Sequence, residues 1–407
     1  MSKEKRRVPK LRFPGFTEDW EQRKLGEYAN FRRGSFPQPY GNKEWYDGVG
    51  SAPFVQVVDV GDNLSLVDCT KQRISKLAQP MSVYAEKGSV LVTLQGSIGR
   101  VAVSQYDAFI DRTILIFQGY KYKTNSYFWA YIIKNKFSEE ALKAPGGTIK
   151  TITKEALSNF IILYPKFSEQ EQIGSFFEKL DKLITLHQRK LDNLKLKKKA
   201  LLQKLFPKNG ERYPELRFPG FTDAWEQRKL ATLYKRVNER NDGTLGRDKW
   251  ISVAKMYFQD PDKVQSNNLD TRTYVMKIGD IAFEGHPNNE FKFGRFVLND
   301  IGTGIISELF PIYRPITEYD IDFWKYAIQL ERIMGPIFAK SITSSGNSSN
   351  KLDHNHFLNQ ELLVPNIDEQ KQIGSLLSLV TKIITLHQRK LDHLQLQKKA
   401  LLQQMFV

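Results

Sequence analysis

The sequence has one cysteine and lacks any long apolar segment. Cys69 alone cannot form a disulfide within the chain, and no apolar run approaches the roughly 20 residues that a membrane-spanning helix requires. The amino-terminal residues MSKEKRRVPK are charged and contain no apolar stretch of the kind that signal peptides have. These absences predict a cytoplasmic protein that does not contact a membrane.

The motifs of two enzyme classes are also absent. No glycine is followed directly by a lysine, which excludes the phosphate-binding loop of P-loop ATPases. The adenine-pocket motif Asn-Pro-Pro-Tyr of methyltransferases does not occur, and Gly302-Thr303-Gly304 is interpreted as a turn rather than a cofactor loop. We therefore expect this chain to be neither a P-loop ATPase nor a methyltransferase.

The charge balance favours a polyanionic partner. The 407 residues include 61 Lys and Arg against 45 Asp and Glu, which gives a formal net charge of +16. Such an excess of cationic side chains is typical of proteins that bind nucleic acid. A chain of this length is also too long for one ordinary core and suits two domains of about 150 residues with connecting segments.

Two pairs of internal repeats divide the chain. The segment LRFPGFTEDWEQRKL at 11–25 returns as LRFPGFTDAWEQRKL at 216–230, and EQEQIG with ITLHQRKLDNLKLKKKALLQ returns as EQKQIG with ITLHQRKLDHLQLQKKALLQ. Between these repeats, residues 30–165 and 235–365 show no similarity that can be aligned by eye. Because the flanks are alike, we expect both copies to dock in the same way. Because the segments between the flanks differ, we expect each copy to face a different target.

Each repeated helix is predicted to be long enough to act as a spacer. Ser168 and Glu171 form an S-x-x-E capping box, and Asp368 occupies the matching first position in the second copy. From there each helix can run to Phe206 or Phe406 without an interior proline, about 38 residues or about 57 Å. An apolar heptad seam follows each helix and predicts that the two copies pair in antiparallel fashion. The seam residues are Ile173, Phe177, Leu180, Ile184, Leu191, Leu194, Leu201 and Leu205, and Ile373, Leu377, Val380, Ile384, Leu391, Leu394, Leu401 and Met405.

Polar positions on these helices allow more than one interpretation. His187 and His387 match between the copies and invite a metal site, but a polar layer that fixes the helix register is the favoured interpretation. The cluster Lys197, Lys198 and Lys199 fits a solvated face near a helix carboxyl end, where positive charge is favourable. A contact between this cluster and phosphate stays open.

The two variable segments are predicted to be mixed α/β domains built on a curved or barrel-like sheet. Aromatic residues at helical spacing predict a helix over 127–142 in the first segment and another near 323–334 in the second. The fold class is therefore α+β: two mixed α/β domains separated by two long antiparallel coiled-coil helices, with a pseudo-two-fold internal repeat. The predicted strands are FVQVVDV, GSVLVTL, GSIGRVAV and TILIFQG in the first segment, and GDIAFEG, FGRFVLND and GIISELFPIYR in the second.

Side chains suited to DNA recognition occur in both variable segments. In the major groove, Arg and Lys pair with guanine, and Asn and Gln pair with adenine. Most of the candidates are expected to contact phosphate or to be ordinary surface, and a minority to contact bases. They are Arg32, Arg33, Arg73, Gln95, Ser97, Arg100 and Arg112 in the first segment, and Arg240, Arg247, Asn288, Asn289, Lys292, Arg295, Asn347 and Lys351 in the second.

Two other functional classes stay open at this point. A nuclease is one, because Pro261-Asp262 and Glu290-Phe291-Lys292 can be written as a PD and E-x-K arrangement that binds Mg²⁺. Asp353, His354 and His356 are possible metal ligands, although a turn is the simpler interpretation. The other class is a scaffold that binds only protein, which leaves the basic, divergent segments without a role. Salt-dependent DNA binding would separate the scaffold from a DNA-binding protein.

Together these features resemble the S subunits of Type I restriction-modification systems. The resemblance rests on the EQ-x-QIG helix start after a strand that ends in proline, the leucine-rich helix that closes on KKALLQ, the doubled LRFPGF segment and GSIGRVAV. It covers essentially the full chain. It implies target recognition domains at 1–167 and 208–367, and spacer helices at 168–207 and 368–407.

The resemblance also implies a non-catalytic role within a larger enzyme, with no catalytic residue and no bound cofactor or metal ion on this chain. Each recognition domain would read one half of a split DNA target, which is asymmetric because the two segments differ. The helices would hold the halves apart and bind methyltransferase (M) subunits, which use S-adenosylmethionine to methylate adenine. Restriction (R) subunits would use ATP and Mg²⁺ for translocation and cleavage. The expected partners are therefore double-stranded DNA and the M and R subunits.

Overall fold

The computed structural model describes residues 7–143, 152–208, 210–264, 272–345 and 349–406. The chain divides into two compact units: unit 1 comprises residues 1–189 and 389–407, and unit 2 comprises residues 190–388. Each of the two long helices is shared, because its first part belongs to one unit and its last part to the other. The division into four consecutive domains stays a prediction.

Unit 1 contains two four-stranded sheets. One is antiparallel throughout, with the strand order Ala29–Arg33, Ile114–Tyr120, Val90–Thr93 and Val101–Val103. The other includes one parallel pair and has the order Gln72–Ile74, Ala52–Val55, Ala108–Ile110 and Val83–Ala85. A separate antiparallel pair joins Glu21–Lys24 to Ile161–Tyr164. The short helices Leu25–Tyr28 and Lys154–Ser158 and the longer helix Ser126–Lys143 complete the unit.

Unit 2 contains one four-stranded antiparallel sheet and several strand pairs. The sheet has the order Tyr234–Val237, Ile312–Pro315, Ile281–Glu284 and Arg295–Leu298. The pairs are Glu226–Lys229 with Glu361–Val364, Ile251–Ser252 with Tyr257–Phe258, Thr273–Met276 with Gly304–Ser307, and Ile342–Ser345 with Asn350–Leu352. Its helices, apart from the long ones, are Leu230–Leu233, Ile321–Ala327, Glu331–Ser341 and His354–Leu358.

The two variable segments share a strand order that their sequences do not reveal. In each antiparallel four-stranded sheet, the strand that follows the repeated flank pairs with the last strand of the sheet in chain order. That last strand pairs with a strand from a central hairpin, whose second strand forms the edge. Sequence divergence has therefore left one topology intact in both units.

Most of the predicted strands form, with three differences. GSIGRVAV is a strand only over Val101–Val103, because the residues before it form the loop of a hairpin with Val90–Thr93. FVQVVDV is a strand only up to Val55, because a 3₁₀ turn at Val57–Asp59 follows, in which the Asp59 carboxylate accepts a hydrogen bond from the Gln56 amide at 2.8 Å. GIISELFPIYR forms two strands, since a turn ends the first strand at Ser307. The predicted mixture of helices and strands, with two long helices, is confirmed.

The helix predicted near 323–334 is two helices, Ile321–Ala327 and Glu331–Ser341. Asp320 caps the first, because its Oδ1 atom accepts a hydrogen bond from the Phe323 amide at 2.7 Å. The chain is extended at Leu330, which interrupts the helical hydrogen bonds. The second helix then presents Arg332, whose guanidinium donates to the backbone oxygens of Leu202, Gln203 and Phe206.

The long helices span Phe167–Lys204 and Ile367–Met405, 38 and 39 residues. The predicted capping box at Ser168 is wrong, because the helix begins one residue earlier and Ser168 lies inside its first turn. In the second copy the cap is Asn366 rather than Asp368, since Asn366 Oδ1 accepts a hydrogen bond from the Glu369 amide at 2.9 Å. Phe206 and Phe406 lie just beyond the helices.

In unit 1 the repeated flank binds the ends of both long helices. The Arg12 guanidinium donates two hydrogen bonds of 2.7 Å to the Glu169 carboxylate, which is buried in the first turn of the first long helix. The Leu11 amide donates to the carbonyl of Gln404 in the last turn of the second long helix, at 2.9 Å. Phe406 then packs into an aromatic cluster formed by Trp20, Phe128, Tyr131 and Phe177.

Unit 2 repeats this arrangement with the helices exchanged. Arg217 donates two hydrogen bonds of 2.8 Å to the buried Glu369, and the Leu216 amide donates to the carbonyl of Lys204 at 2.9 Å. Phe206 stacks on Phe323 and meets Trp225 edge to face. The repeated Arg, Glu and Phe residues are therefore docking residues, which explains why the two copies have kept them.

The rest of the EQ-x-QIG motif has a packing role as well. Gln170 and Gln370 each donate to the carbonyl of the proline that ends the preceding strand, at 2.9 and 3.0 Å. Gly174 permits a close approach, because a Cβ atom there would lie 2.0 Å from Asn125 Oδ1. Gly374 likewise permits a close approach, because a Cβ atom there would lie 2.4 Å from Asp320 Oδ1.

A polar layer in the helix seam differs between the units. In unit 1, Asp181 is buried, forms an ion pair of 2.5 Å with Lys398 and accepts a hydrogen bond from the Tyr131 hydroxyl. Unit 2 has Thr381 at the position that matches Asp181, hydrogen-bonded to the Tyr326 hydroxyl at 2.8 Å.

Lys198, which matches Lys398, lies 4.9 Å above the Tyr326 ring instead of pairing with a carboxylate. Among the residues that the structure describes, no carboxylate lies within ion-pair distance of Lys198. Burial, and to a smaller extent Lys325, lowers the pKa of Lys198. The polar layer of unit 1 therefore has a neutralising acid that unit 2 lacks.

No helix within the described residues is both long enough and apolar enough to span a bilayer.

Replacing Arg12 with alanine is expected to lower the free energy of unfolding by about 3 kcal/mol, because it strands the buried Glu169 carboxylate. Urea unfolding of the chain measures this loss. Lys166→Ala is the control, since it removes an ion pair with Glu18 in which both side chains are mostly exposed. Equal losses for the two variants would contradict the docking role of Arg12.

The sequence repeat supplies a second matched pair of variants. Lys398→Met is expected to destabilise the protein by about 3 kcal/mol, because Asp181 would stay buried without its cation. Lys198→Met removes a cation that burial already disfavours, so unfolding should occur at the same urea concentration or a higher one. A larger loss from Lys198→Met than from Lys398→Met would show that this account of the layer is wrong.

Candidate nucleic-acid interface

A central hairpin occupies the same place in the antiparallel sheet of each unit. In unit 1 its strands are Val90–Thr93 and Val101–Val103, and in unit 2 they are Ile281–Glu284 and Arg295–Leu298. The connecting loops are residues 94–100 and 285–294, called here hairpin loop 1 and hairpin loop 2. Three of the predicted DNA-binding residues lie on hairpin loop 1 and three on hairpin loop 2, with Arg295 directly after the latter.

Hairpin loop 1 presents Gln95 and Ser97 to solvent. Its shape is fixed by Thr93, whose hydroxyl donates to the Ser97 carbonyl and accepts from the Arg100 amide. Gly99 has a φ of +83°, and a Cβ atom there would lie 2.9 Å from Phe137. The loop is thus packed against helix Ser126–Lys143, which holds the two exposed polar side chains in place.

Arg100 is already paired within unit 1. Its Nε atom lies 3.1 Å from Asp62 Oδ1, and the Asp62 side chain is 81% exposed. The Lys134 ammonium donates to the Asp62 carbonyl at 2.6 Å. An exposed ion pair of this kind is weak in water, so its arginine can exchange partners with a phosphate at little cost.

Arg32, Arg33 and Arg112 lie on neighbouring parts of unit 1. Arg32 and Arg33 are exposed on an edge strand. The next residue, Gly34, packs closely against Asp111, because a Cβ atom on Gly34 would lie 2.3 Å from the Asp111 carbonyl oxygen. The Arg112 guanidinium lies 4.8 Å above the Tyr40 ring. The Tyr40 hydroxyl donates to the buried Asp111 carboxylate, and burial together with this bond raises the Tyr40 pKa.

Arg73 lies elsewhere in unit 1, on strand Gln72–Ile74. Its guanidinium donates to the hydroxyl of Ser51 at 3.0 Å and to the Ser51 carbonyl at 2.6 Å. These bonds orient the side chain along the Asp47–Ser51 turn.

Hairpin loop 2 is fixed by Asn288, whose side-chain oxygen accepts from the amides of Glu290 and Phe291 at 2.8 and 3.0 Å. Asn289 and Lys292 are exposed. Arg295, at the start of the next strand, donates to Glu284 at 3.2 Å and to the Ala254 carbonyl at 2.6 Å. The amide of Asn289 is therefore presented on a shaped loop, as Gln95 is on hairpin loop 1.

Lys351 lies close to hairpin loop 2. It is exposed on strand Asn350–Leu352, and the preceding residue donates its amide to the Gly285 carbonyl at 2.8 Å. The predicted contact at Asn347 lies outside the described residues.

Arg240 and Arg247 belong to another part of unit 2. Arg240 pairs with Glu308 at 2.7 Å and lies 5.0 Å above the Tyr274 ring, and Arg247 is exposed in the 3₁₀ turn Arg247–Lys249. The structure thus gathers part of each predicted set on the hairpin loops and distributes the rest over other loops and edges of the same unit.

Two residues of the metal hypothesis, Asp353 and His354, have structural roles of their own. Asp353 caps helix His354–Leu358, because its Oδ1 atom accepts from the His356 amide at 2.8 Å. The Nδ1 atom of His354 lies 3.0 Å from a guanidinium nitrogen of Arg236. Across the described ranges, no three His, Cys, Asp or Glu side chains are grouped so that they could hold a metal ion.

Sequence reasoning missed the pairs Arg12–Glu169 and Arg217–Glu369. A signal was present, because an arginine in LRFPGF and a glutamate in EQ-x-QIG recur in both copies. What the sequence does not show is that these two repeated segments meet in space.

Comparison with known proteins identifies the class of this molecule. Residues 17–196 match the family described as the Type I restriction modification DNA specificity domain. A curated relative, the Type I restriction enzyme MjaVIII specificity subunit of Methanocaldococcus jannaschii, is 20% identical over 96% of this chain and 92% of its own length. The crystal structure of a Type I restriction-modification system S subunit from M. genitalium superposes with a TM-score of 0.61 at 13% identity, and covers 98% of this chain and 99% of that one.

The chain is thus similar over nearly its full length to specificity subunits of Type I restriction-modification systems, and its residues 17–196 match their DNA specificity domain. The predicted family is confirmed, and the likeness to the solved S subunit confirms a mixed α/β fold with long helices.

Proposed function

We propose that the chain reads a split, asymmetric DNA target, with one half read by each unit. The observation that carries this proposal is the central hairpin, which occupies the same sheet position in both units but bears different side chains. Hairpin loop 1 carries Gln95 and Ser97, whereas hairpin loop 2 carries Asn288, Asn289 and Lys292. Side chains that differ at one structural position select different bases, because each base pair shows its own donor and acceptor pattern in the major groove.

The residues proposed to touch DNA are the ones named from the sequence. The exposed amides of Gln95 and Asn289 suit adenine, and the exposed Arg32, Arg33 and Arg112 suit guanine or phosphate. Arg73, Arg100, Arg240 and Arg295 are bonded to protein atoms, so for these four a DNA contact requires an added or exchanged partner.

The two long helices are proposed to form the spacer between recognition domains, as an antiparallel coiled coil with a pseudo-two-fold repeat. Within unit 1, Met405 at the end of the second helix shares a core with Ile173 and Phe177 near the start of the first. Within unit 2, Leu205 shares a core with Ile373 and Leu377. Helix ends that pack in this way support an antiparallel pairing of the two helices.

We further propose that M subunits dock on the outer face of these helices. Leu186 and Leu386 are each 63% exposed, and Leu196 and Leu396 are 67% and 66% exposed. Leucines that remain exposed at matching positions on both helices offer two like sites for one kind of apolar partner. S-adenosylmethionine would be bound by the M subunits, and ATP and Mg²⁺ by the R subunits, so that this chain directs adenine methylation and cleavage without a cofactor of its own.

The modular proposal predicts the outcome of a domain exchange. Residues 30–165 are replaced by the corresponding segment of another specificity subunit, with both repeated flanks and both long helices kept. Methylation mapped in cells that also carry the M subunit should change in one half of the target and keep the other half and the gap.

The reciprocal exchange of residues 235–365 is the matched control and should change only the opposite half. An unaltered target, or an alteration of both halves by a single exchange, would refute the assignment of one half to each unit.

A further inference from the structure

One apolar side chain is fully exposed at the tip of a structured turn in unit 1. Val49 is 100% exposed and lies in the turn Asp47–Ser51, between a 3₁₀ turn and strand Ala52–Val55. Single exposed apolar residues are common on protein surfaces, so exposure by itself decides nothing. What distinguishes Val49 is the way in which the rest of the molecule holds its turn.

The turn is tightly bent. Asp47, Gly48 and Gly50 have φ angles of 56°, 84° and 77°. This left-handed region costs free energy for Asp47 and is open to glycine, so the sequence Asp-Gly-Val-Gly suits a turn that projects its one large side chain outward.

Neighbouring residues then fix the turn by hydrogen bonds. Arg73 donates to the Ser51 side chain and carbonyl, and its own carbonyl accepts from the Asp47 amide at 3.1 Å. Gln79 donates from its side-chain amide to the Gly50 carbonyl at 2.9 Å. These bonds place Val49 at a defined position, although no protein atom covers it.

The base of the turn is a small aromatic core. Phe36 and Phe54 are buried there, and the Tyr46 ring lies 5.2 Å from that of Phe36. Tyr40 stacks on Phe36 and in turn carries the Arg112 guanidinium above its ring. The turn thus stands on the same core as Arg112, one of the residues proposed to touch DNA.

Two cationic side chains lie beside the turn, which also contains Asp47. Arg73 lies along the turn, and the aliphatic part of Lys76 lies against Gly50. A Cβ atom on Gly50 would lie 3.5 Å from the Cδ atom of Lys76. An apolar tip with cations beside its turn suits a DNA groove, in which base edges lie between two lines of phosphates. The apolar group that the major groove offers is the 5-methyl group of thymine.

We propose that Val49 is a specificity-determining residue that recognises a thymine methyl group in the major groove of the half-site read by unit 1. The inference rests on the proposed function, because it names one contact within the half-site assigned to that unit. Arg73 acts through Val49 by holding its turn, while the Val49 side chain itself meets the base.

Replacement of thymine by uracil tests the contact directly, since it removes only the 5-methyl group. Duplexes that carry the chain's own target, with one thymine of this half-site replaced at a time, are bound to the complex of the chain with its M subunits. For one thymine, the replacement should weaken binding about fourfold, the factor that corresponds to one buried methyl or methylene group. With Val49→Ala, the thymine and uracil duplexes at that position should bind equally.

Leu142→Ala is the matched control. Leu142 is 85% exposed on helix Ser126–Lys143, so the variant loses a similar apolar surface from another element of the unit, and it should keep the fourfold preference for thymine. Because both side chains are exposed, neither variant is expected to disturb folding.

Three results would overturn the proposal: a half-site without thymine, no thymine at which uracil weakens binding, or a preference that Val49→Ala leaves intact. None of these affects the proposed function, which in this binding experiment fails if the wild-type complex shows no sequence-specific binding at all. The two failures are thereby separated in one experiment.

Discussion

The Arg12–Glu169 pair and its copy, Arg217–Glu369, are the contacts on which the rest of this structure depends. Each joins a repeated flank to the first turn of a long helix through two charge-assisted hydrogen bonds. Both glutamates are buried, so the pair has to be complete for that helix start to be stable. In each unit the flank also bonds to the last turn of the other long helix, and a phenylalanine just beyond that helix fills an aromatic pocket.

This docking explains why the flanks and helices are alike while the segments between them are not. Each flank supplies an arginine, a backbone amide and part of an aromatic pocket, and each of these must meet a fixed partner on a long helix or just beyond it. Such a flank tolerates little change. The variable segments keep only the strand order that connects one fixed end to the other, which leaves the hairpin loops and the Val49 turn able to differ. The functional conclusion follows from this separation: a constant frame carries surfaces that vary.

Much of this frame can be read from the sequence, because repeats and heptads are local patterns. The long helices, most of the strands and the helix at 127–142 follow from periodicity. The capping box at Ser168 and Glu171 is wrong because the helix begins one residue earlier, at Phe167. The bonds of Glu169 and Glu369 to arginines 157 and 152 residues away are not local patterns and could not be predicted. The shared strand order could not be predicted, since it depends on which strands pair in space.

The candidate interface shows the same limit. By residue type alone, Arg73, Arg100 and Arg295 are as good candidates for a DNA contact as Arg32. In the structure these three are bonded to protein atoms that lie 22 or more residues away in the chain. Val49 has no chemistry that marks it for DNA recognition in the sequence, and only its exposure on a fixed turn does so. Which side chains meet DNA is thus decided by tertiary contacts that residue type does not encode.

The most direct test of the central claim is a genome-wide map of methylated adenines in cells that carry the matching M subunit, with and without this chain. The account predicts a split, asymmetric motif that appears only when the chain is present. Absence of any motif despite good expression of both proteins, or a motif that persists without the chain, would contradict it.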